Sequence, residues 1–188
     1  MVQWYTKMGI VLPEIEPGDM ELISTPTDFF GLNYYYSYFI GAGDDRWPIM
    51  VKSVKPEDRE YTAMNWPVCP DGFHDIILRC WKDYGKEIIV TENGAAYPDA
   101  LDAGGKIHDE ARISYLRRHI EAMHRAMQEG AKVLGYMVWS SFDNFEWALG
   151  YERRFGLIHV DYETQERKIK DSGKWYAGVI ERNGLDEV

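Results

Sequence analysis

The chain has 188 residues, a length that predicts one domain of about 150 residues with some excess and leaves no room for two. With 45% apolar and 14% aromatic residues it carries enough material for a core, which excludes a disordered chain. Its 21 Lys and Arg against 31 Asp and Glu give a net charge of −10, which argues against binding to nucleic acid or to a membrane surface, since both depend on clustered cations.

In chain order, the first strand is expected over 28–36, followed by a long polar excursion over 41–70. A helix is predicted from about Gly72 to Tyr84, because Phe73, Ile76, Ile77, Cys80, Trp81 and Tyr84 recur at the spacing of one helical face. Gly85 stops it. The run "EIIVT" at 87–91 predicts the second strand. The next helix starts at Asp109, carries Ile113, Leu116, Ile120, Met123 and Met127 as its stripe, and ends at Gly130. A third strand is expected over 133–139, and a third helix from Asp171 or Ser172 that includes Trp175, Tyr176, Val179 and Ile180.

Strands alternating with helices of this length predict right-handed βαβ units and a parallel sheet, an α/β chain. The nearly continuous apolar strands suit a sheet covered on both faces, in a barrel or a doubly wound fold. A closed (β/α)8 barrel needs eight strands and typically ~250 residues. Three units therefore make only an arc of one, a single partial barrel domain divided at 27–84, 85–130 and 131–188.

No run approaches the ~20 apolar residues of a membrane span, and the N-terminus lacks a basic-then-apolar leader, so a cytoplasmic location is expected. Cys69 and Cys80 make neither a disulfide framework nor a metal knuckle and read as buried thiols of a reducing compartment. The five histidines have no zinc spacing.

Two segments concentrate chemistry. "TENG", residues 91–94, places Glu92 at the C-terminal end of a buried parallel strand, the end that faces an active-site mouth in parallel α/β folds. By itself it also fits an ordinary loop acid. The segment "VWSSFDNFEWALGYERRFG", residues 138–156, gathers Trp139, Phe142, Phe145, Trp147 and Phe155 around Asp143, Asn144 and Glu146. Aromatic faces stack on sugar C–H groups while carboxylates and indole N–H groups bind hydroxyls, so this pairing suits carbohydrate. A packed aromatic core would draw on the same residues.

Taken together with "DFFGLNYY" (28–35), "WPVCPDGF" (66–73), "VTENGAAYPD" (90–99) and the long run 135–176, these segments resemble glycoside hydrolase family 1 in order and spacing over nearly the whole chain. The family comprises β-glucosidase-type retaining hydrolases on a (β/α)8 barrel. The resemblance implies that Glu92 is the catalytic nucleophile and that Tyr35 donates a hydrogen bond to it, with Asn33 beside them at the end of the sixth strand. It implies that Trp139 is the platform under the first sugar, that Glu146 and Trp147 hold its outer hydroxyls, and that Phe155 borders that pocket. A glutamate at 146, where the 6-phospho branch has a smaller residue, implies an unphosphorylated sugar. The family also has a non-prolyl cis peptide, here expected at Trp139–Ser140. No metal or organic cofactor is implied.

The family's acid/base glutamate sits in an Asn-Glu-Pro motif that this sequence lacks. The acids of "PEIEP" (13–17) and "KPEDRE" (55–60) lie on polar loops around the first strand and do not replace it. The chain resembles the C-terminal three units of the barrel, strands six to eight, and Met1 reads as an internal methionine of a longer frame. Three strands in an arc leave apolar edges open. The expected partners are a β-glucoside or oligosaccharide together with a second copy or a complementary N-terminal barrel chain. The other reading is a catalytically inactive oligomeric fragment or a carbohydrate-binding module using Trp139, Glu146 and Trp147.

Overall fold

The computed structural model describes residues 2–46 and 50–185, so Met1 lies outside the described residues. Two short helices, α1 (Val2–Lys7) and α2 (Asp19–Ile23), precede the first barrel-type strand, β1 (Phe30–Asn33). A hairpin of β2 (Ile40–Arg46) and β3 (Val51–Ser53) follows, then α3 (Pro70–Tyr84), β4 (Ile88–Asn93), α4 (Glu110–Gln128) and β5 (Val133–Val138). A second hairpin, β6 (Ile158–Val160) with β7 (Arg167–Ile169), leads into α5 (Asp171–Arg182).

β1, β4 and β5 form a parallel three-stranded sheet in that order, with a helix between each successive pair. The main core lies between this sheet and its helices. Leu32, Ile88 and Val90 from the strands meet Phe73, Ile77 and Cys80 of α3 and Ala126 of α4. Removing these aliphatic and aromatic side chains from water is the main stabilising term, at about 25 cal/mol per Å². The edge strand β5 is open to solvent, with Leu134, which lies beside α4 and α5, and Met137 59% and 54% exposed.

Several sequence expectations shift. The excursion over 41–70 is not all loop, since it holds the β2–β3 hairpin. Two of the three β3 residues are exposed, so no apolar alternation marks it. On α4 the buried face runs through Arg112, Tyr115, Leu116, His119, Ile120 and Ala126, whereas Ile113 is only half-buried and Met127 is exposed. Hydrophobicity misplaced the stripe because an arginine and a histidine lie on the inward face. Ile180 of α5 is likewise exposed. The stop signals hold: Gly85 takes the left-handed conformation after α3 and donates its N–H to the Trp81 carbonyl at 2.9 Å. Both cysteines are free and buried. Among the described residues, no helix is long and apolar enough to cross a membrane.

Asp109 starts α4 but does not cap it. Its carboxylate instead accepts the Ser172 backbone N–H at 2.8 Å and the Ser172 hydroxyl at 2.5 Å, at the first turn of α5, and also pairs with Arg112. One aspartate thereby joins the starts of two helices.

Candidate active site

The site grows from the shared direction of three parallel strands, whose C-terminal ends carry Asn33, Glu92 and Val138. Strict alternation along β4 would put residue 92 on the same helix-facing side as Ile88 and Val90. The observed buried positions are Ile88, Val90 and Asn93, and the half-buried ones are Ile89, Thr91 and Glu92. The pairing explains it. Between Val90 and Glu92 the neighbouring β1 advances by one residue, Leu32 to Asn33, and between Val90 and Asn93 β5 advances by two, Tyr136 to Val138. One extra residue in β4 forms a β-bulge that re-aims Glu92 away from the helices, as bulges beside active sites commonly do.

Tyr35, two residues beyond β1, donates its hydroxyl to Glu92 Oε2 at 2.5 Å. Burial, this bond and the negative charges of Glu92 and Glu146 push the Tyr35 phenol far above its ordinary range, so it stays protonated and donates. Its ring is held by Trp66 at 5.4 Å and edge-on by the buried Phe155 at 6.2 Å. Asn33 is exposed beside this pair and accepts a hydrogen bond from the Thr91 hydroxyl at 2.6 Å.

Asn93, fully buried behind Glu92, fixes the site's floor. Its amide donates to the Tyr34 carbonyl at 2.6 Å and to the Tyr115 hydroxyl at 3.1 Å, and its oxygen accepts from the Tyr136 hydroxyl at 2.5 Å. Tyr115 in turn donates to the Tyr35 carbonyl at 2.9 Å. Strand β4 and the segment carrying Tyr35 are thus knitted through one side chain.

Trp139 follows β5 and donates its N–H to the Asn93 carbonyl at 3.0 Å. The Trp139–Ser140 peptide is cis. Gly94 makes this approach possible: a Cβ there would lie 1.8 Å from the Trp139 carbonyl oxygen. Beyond Trp139, Glu146 is only 9% exposed and its Oε2 has no partner among the described residues. Trp147 is 84% exposed.

The sequence-predicted residues Asn33, Tyr35, Glu92, Trp139, Glu146 and Phe155 therefore cluster at one end of the sheet, and Trp147 stands in solvent beside them. Sequence reasoning gave no role to Trp66, which stacks on Tyr36 at 4.9 Å, or to Asn93. The signal for Asn93 was present as an amide closing a strand that begins with three aliphatic residues, Ile88 to Val90. Among the described residues no group of three or more His, Cys, Asp or Glu side chains is arranged to hold a metal ion.

The model of glycosyl hydrolase family 1 matches residues 1–185. The chain is 48% identical to a 1,4-beta-D-glucan glucohydrolase of Thermotoga neapolitana over 94% of this chain, and 45% identical to beta-glucosidase A of Thermotoga maritima over the same share. In both cases it spans 39% of the relative's length, so it corresponds to about two fifths of these curated proteins. A solved family 1 beta-glucosidase from Thermotoga maritima superposes with a TM-score of 0.86 at 45% identity, covering 90% of this chain and 38% of that one. The same kind of enzyme in complex with castanospermine gives 0.90 at 42% identity, covering 99% and 41%.

Proposed function

This chain belongs to glycosyl hydrolase family 1, and from that premise we propose that it is the nucleophile-bearing part of a β-glucosidase-type retaining hydrolase acting on terminal β-D-glucosyl residues. In this reading β1, β4 and β5 are strands six to eight of the barrel, within units 27–84, 85–130 and 131–188.

Glu92 attacks the anomeric carbon of the sugar, a glycosyl ester forms at its carboxylate oxygen, and the bond from that carbon to the leaving oxygen breaks. Tyr35 holds the carboxylate by its donated bond. Trp139 supplies the face on which the sugar ring rests, Glu146 and Trp147 take its outer hydroxyls, Asn33 lies near the reacting centre, and Phe155 closes the wall behind Tyr35. Retaining chemistry needs a second carboxyl about 5–5.5 Å from the first, to protonate the leaving oxygen. That group is proposed to come from a complementary N-terminal barrel chain. The exposed Leu134 and Met137 on an edge strand support association with such a chain or with a second copy.

The observation that carries the reading is the 2.5 Å bond from Tyr35 to a carboxylate turned by a bulge onto the open face of the sheet. A 2-deoxy-2-fluoro-β-glucosyl dinitrophenolate tests it, because that leaving group departs without a proton. A covalent mass increase on the peptide containing Glu92, absent in Glu92→Gln, is expected. Failure to label at saturating reagent removes the reading that this chain carries a working nucleophile.

A further inference from the structure

A buried ionic cluster joins the two loops that flank the site. One loop, residues 94–109, follows Glu92; the other, residues 139–157, carries Trp139, Glu146 and Phe155. Asp99 on the first loop pairs through both oxygens with Arg112 at 3.2 Å. Asp143 on the second accepts from Arg154 at 2.6 Å and from the Gly156 and Val160 N–H groups at 2.9 and 3.4 Å. Lys170, the residue before α5, has no exposed side chain; it donates to Asp143 at 2.8 Å and to Asp99 as well. Arg112 pairs with Asp99 and Asp109 of the first loop and reaches the second only through the Arg154 backbone carbonyl at 2.8 Å, while Arg154 pairs with Asp143 on its own loop; among the described ion pairs, Lys170 is the cation that joins the two loops carboxylate to carboxylate.

We infer that Lys170 is a positioning residue whose ammonium, shared between Asp99 and Asp143, sets the separation between the Glu92 side and the Trp139–Glu146 side of the sugar site. This rests on the roles proposed above for Glu92 and Glu146. Removing one member of a buried, paired cluster leaves charge uncompensated and lets the loops relax apart. Asp143 transmits the effect to the Trp139 side, because the Gly156 N–H it holds adjoins Phe155, whose carbonyl accepts the N–H of Ser140, next to Trp139, at 3.3 Å. Glu92 itself stays fixed by two strand ladders and Tyr35. The clamp therefore governs how well the sugar is held, and the attacking atom far less.

The test is Lys170→Met in the full chain, with the fluoroglucosyl reagent. Expected is a rise of about tenfold in the reagent concentration for half-maximal labelling, with the limiting rate at Glu92 changed less than threefold. A fall in the limiting rate as large as the rise in that concentration, or no change in either, overturns the inference. The double variant Lys170→Met/Asp143→Asn separates positioning from charge neutralisation: thermal stability recovers while weak binding persists if Lys170 positions, and both recover if it only neutralises. Should Lys170→Met not fold, Asp99→Leu removes the first-loop arm of the bridge, together with its Arg112 pair, and leaves the Asp143–Arg154 pair intact. If the unsubstituted chain is not labelled, the functional reading fails separately, and amide hydrogen exchange decides the clamp. Faster exchange at Ser140, Gly156 and Leu157 with Ile88–Val90 unchanged supports it; parallel changes in both segments, or none, refute it.

Discussion

Replacing Asn93 with alanine should destabilise the chain by about 2–6 kcal/mol. The structure gives the terms. Asn93 is fully buried, and its loss leaves the Tyr34 carbonyl and the Tyr136 hydroxyl without their partner, while Tyr115 keeps its bond to the Tyr35 carbonyl. Each buried group left unsatisfied costs about 1–3 kcal/mol. Urea unfolding followed by tryptophan fluorescence measures the loss as a shifted midpoint at constant slope. Tyr136→Phe removes the stranded donor, so the double variant Asn93→Ala/Tyr136→Phe should be about 1 kcal/mol or more better than the sum of the two single losses. A loss below about 1 kcal/mol for Asn93→Ala, or strict additivity, would refute the account of Asn93 as the shared partner of these groups.

Tyr35→Phe should slow labelling of Glu92 by about tenfold or more, since a hydrogen bond to a charged group contributes about 1.5–3 kcal/mol; an unchanged rate contradicts the proposed role. His119 is buried, stacked on Tyr115, and burial pushes its pKa down to about 4 from 6.5. It folds neutral, so its contribution is fully present above pH 6.5 and is lost as pH falls toward and through about 4, by up to ~3 kcal/mol. Urea midpoints between pH 7 and 4.5 should drop more steeply for the parent than for His119→Gln, and equal slopes would count against it. Gly94→Ala drives a methyl into the Trp139 carbonyl and should cost about 1–3 kcal/mol, read as a lower Tm, with an unchanged Tm as the contrary result. Leu134→Lys with Met137→Lys should reduce self-association or binding to a complementary barrel chain, measured by light scattering; undiminished association would place the contact elsewhere.

The parallel α/β architecture was readable because its strands are apolar runs and its helices are punctuated by Gly85, Asp109 and Gly130. The cluster of Tyr35, Glu92 and Trp139 was readable only because several segments agree with one family. What the pattern hid has physical causes. Arg112 and His119 look like surface residues until the carboxylates and rings that satisfy them are known, so the buried face of α4 was misplaced. Lys170, Asp99 and Asp143 lie 27 to 71 positions apart, and their pairing exists only in three dimensions. β3 is too exposed to leave an alternating trace.

The extra residue in β4 makes the chemistry depend on a count as much as on a residue type. Deleting Thr91 would restore regular pleating with both addresses kept, because Glu92 would follow Val90 directly on the outward side and Asn93 would still face the tyrosines that hold it; regular pleating at the present length would instead turn the acid in among the helices and the amide out. The parity of the residue count between Val90 and Glu92, more than the identity of Thr91, decides whether the acid reaches the open face. Insertions and deletions in this strand therefore deserve to be scanned before any substitution.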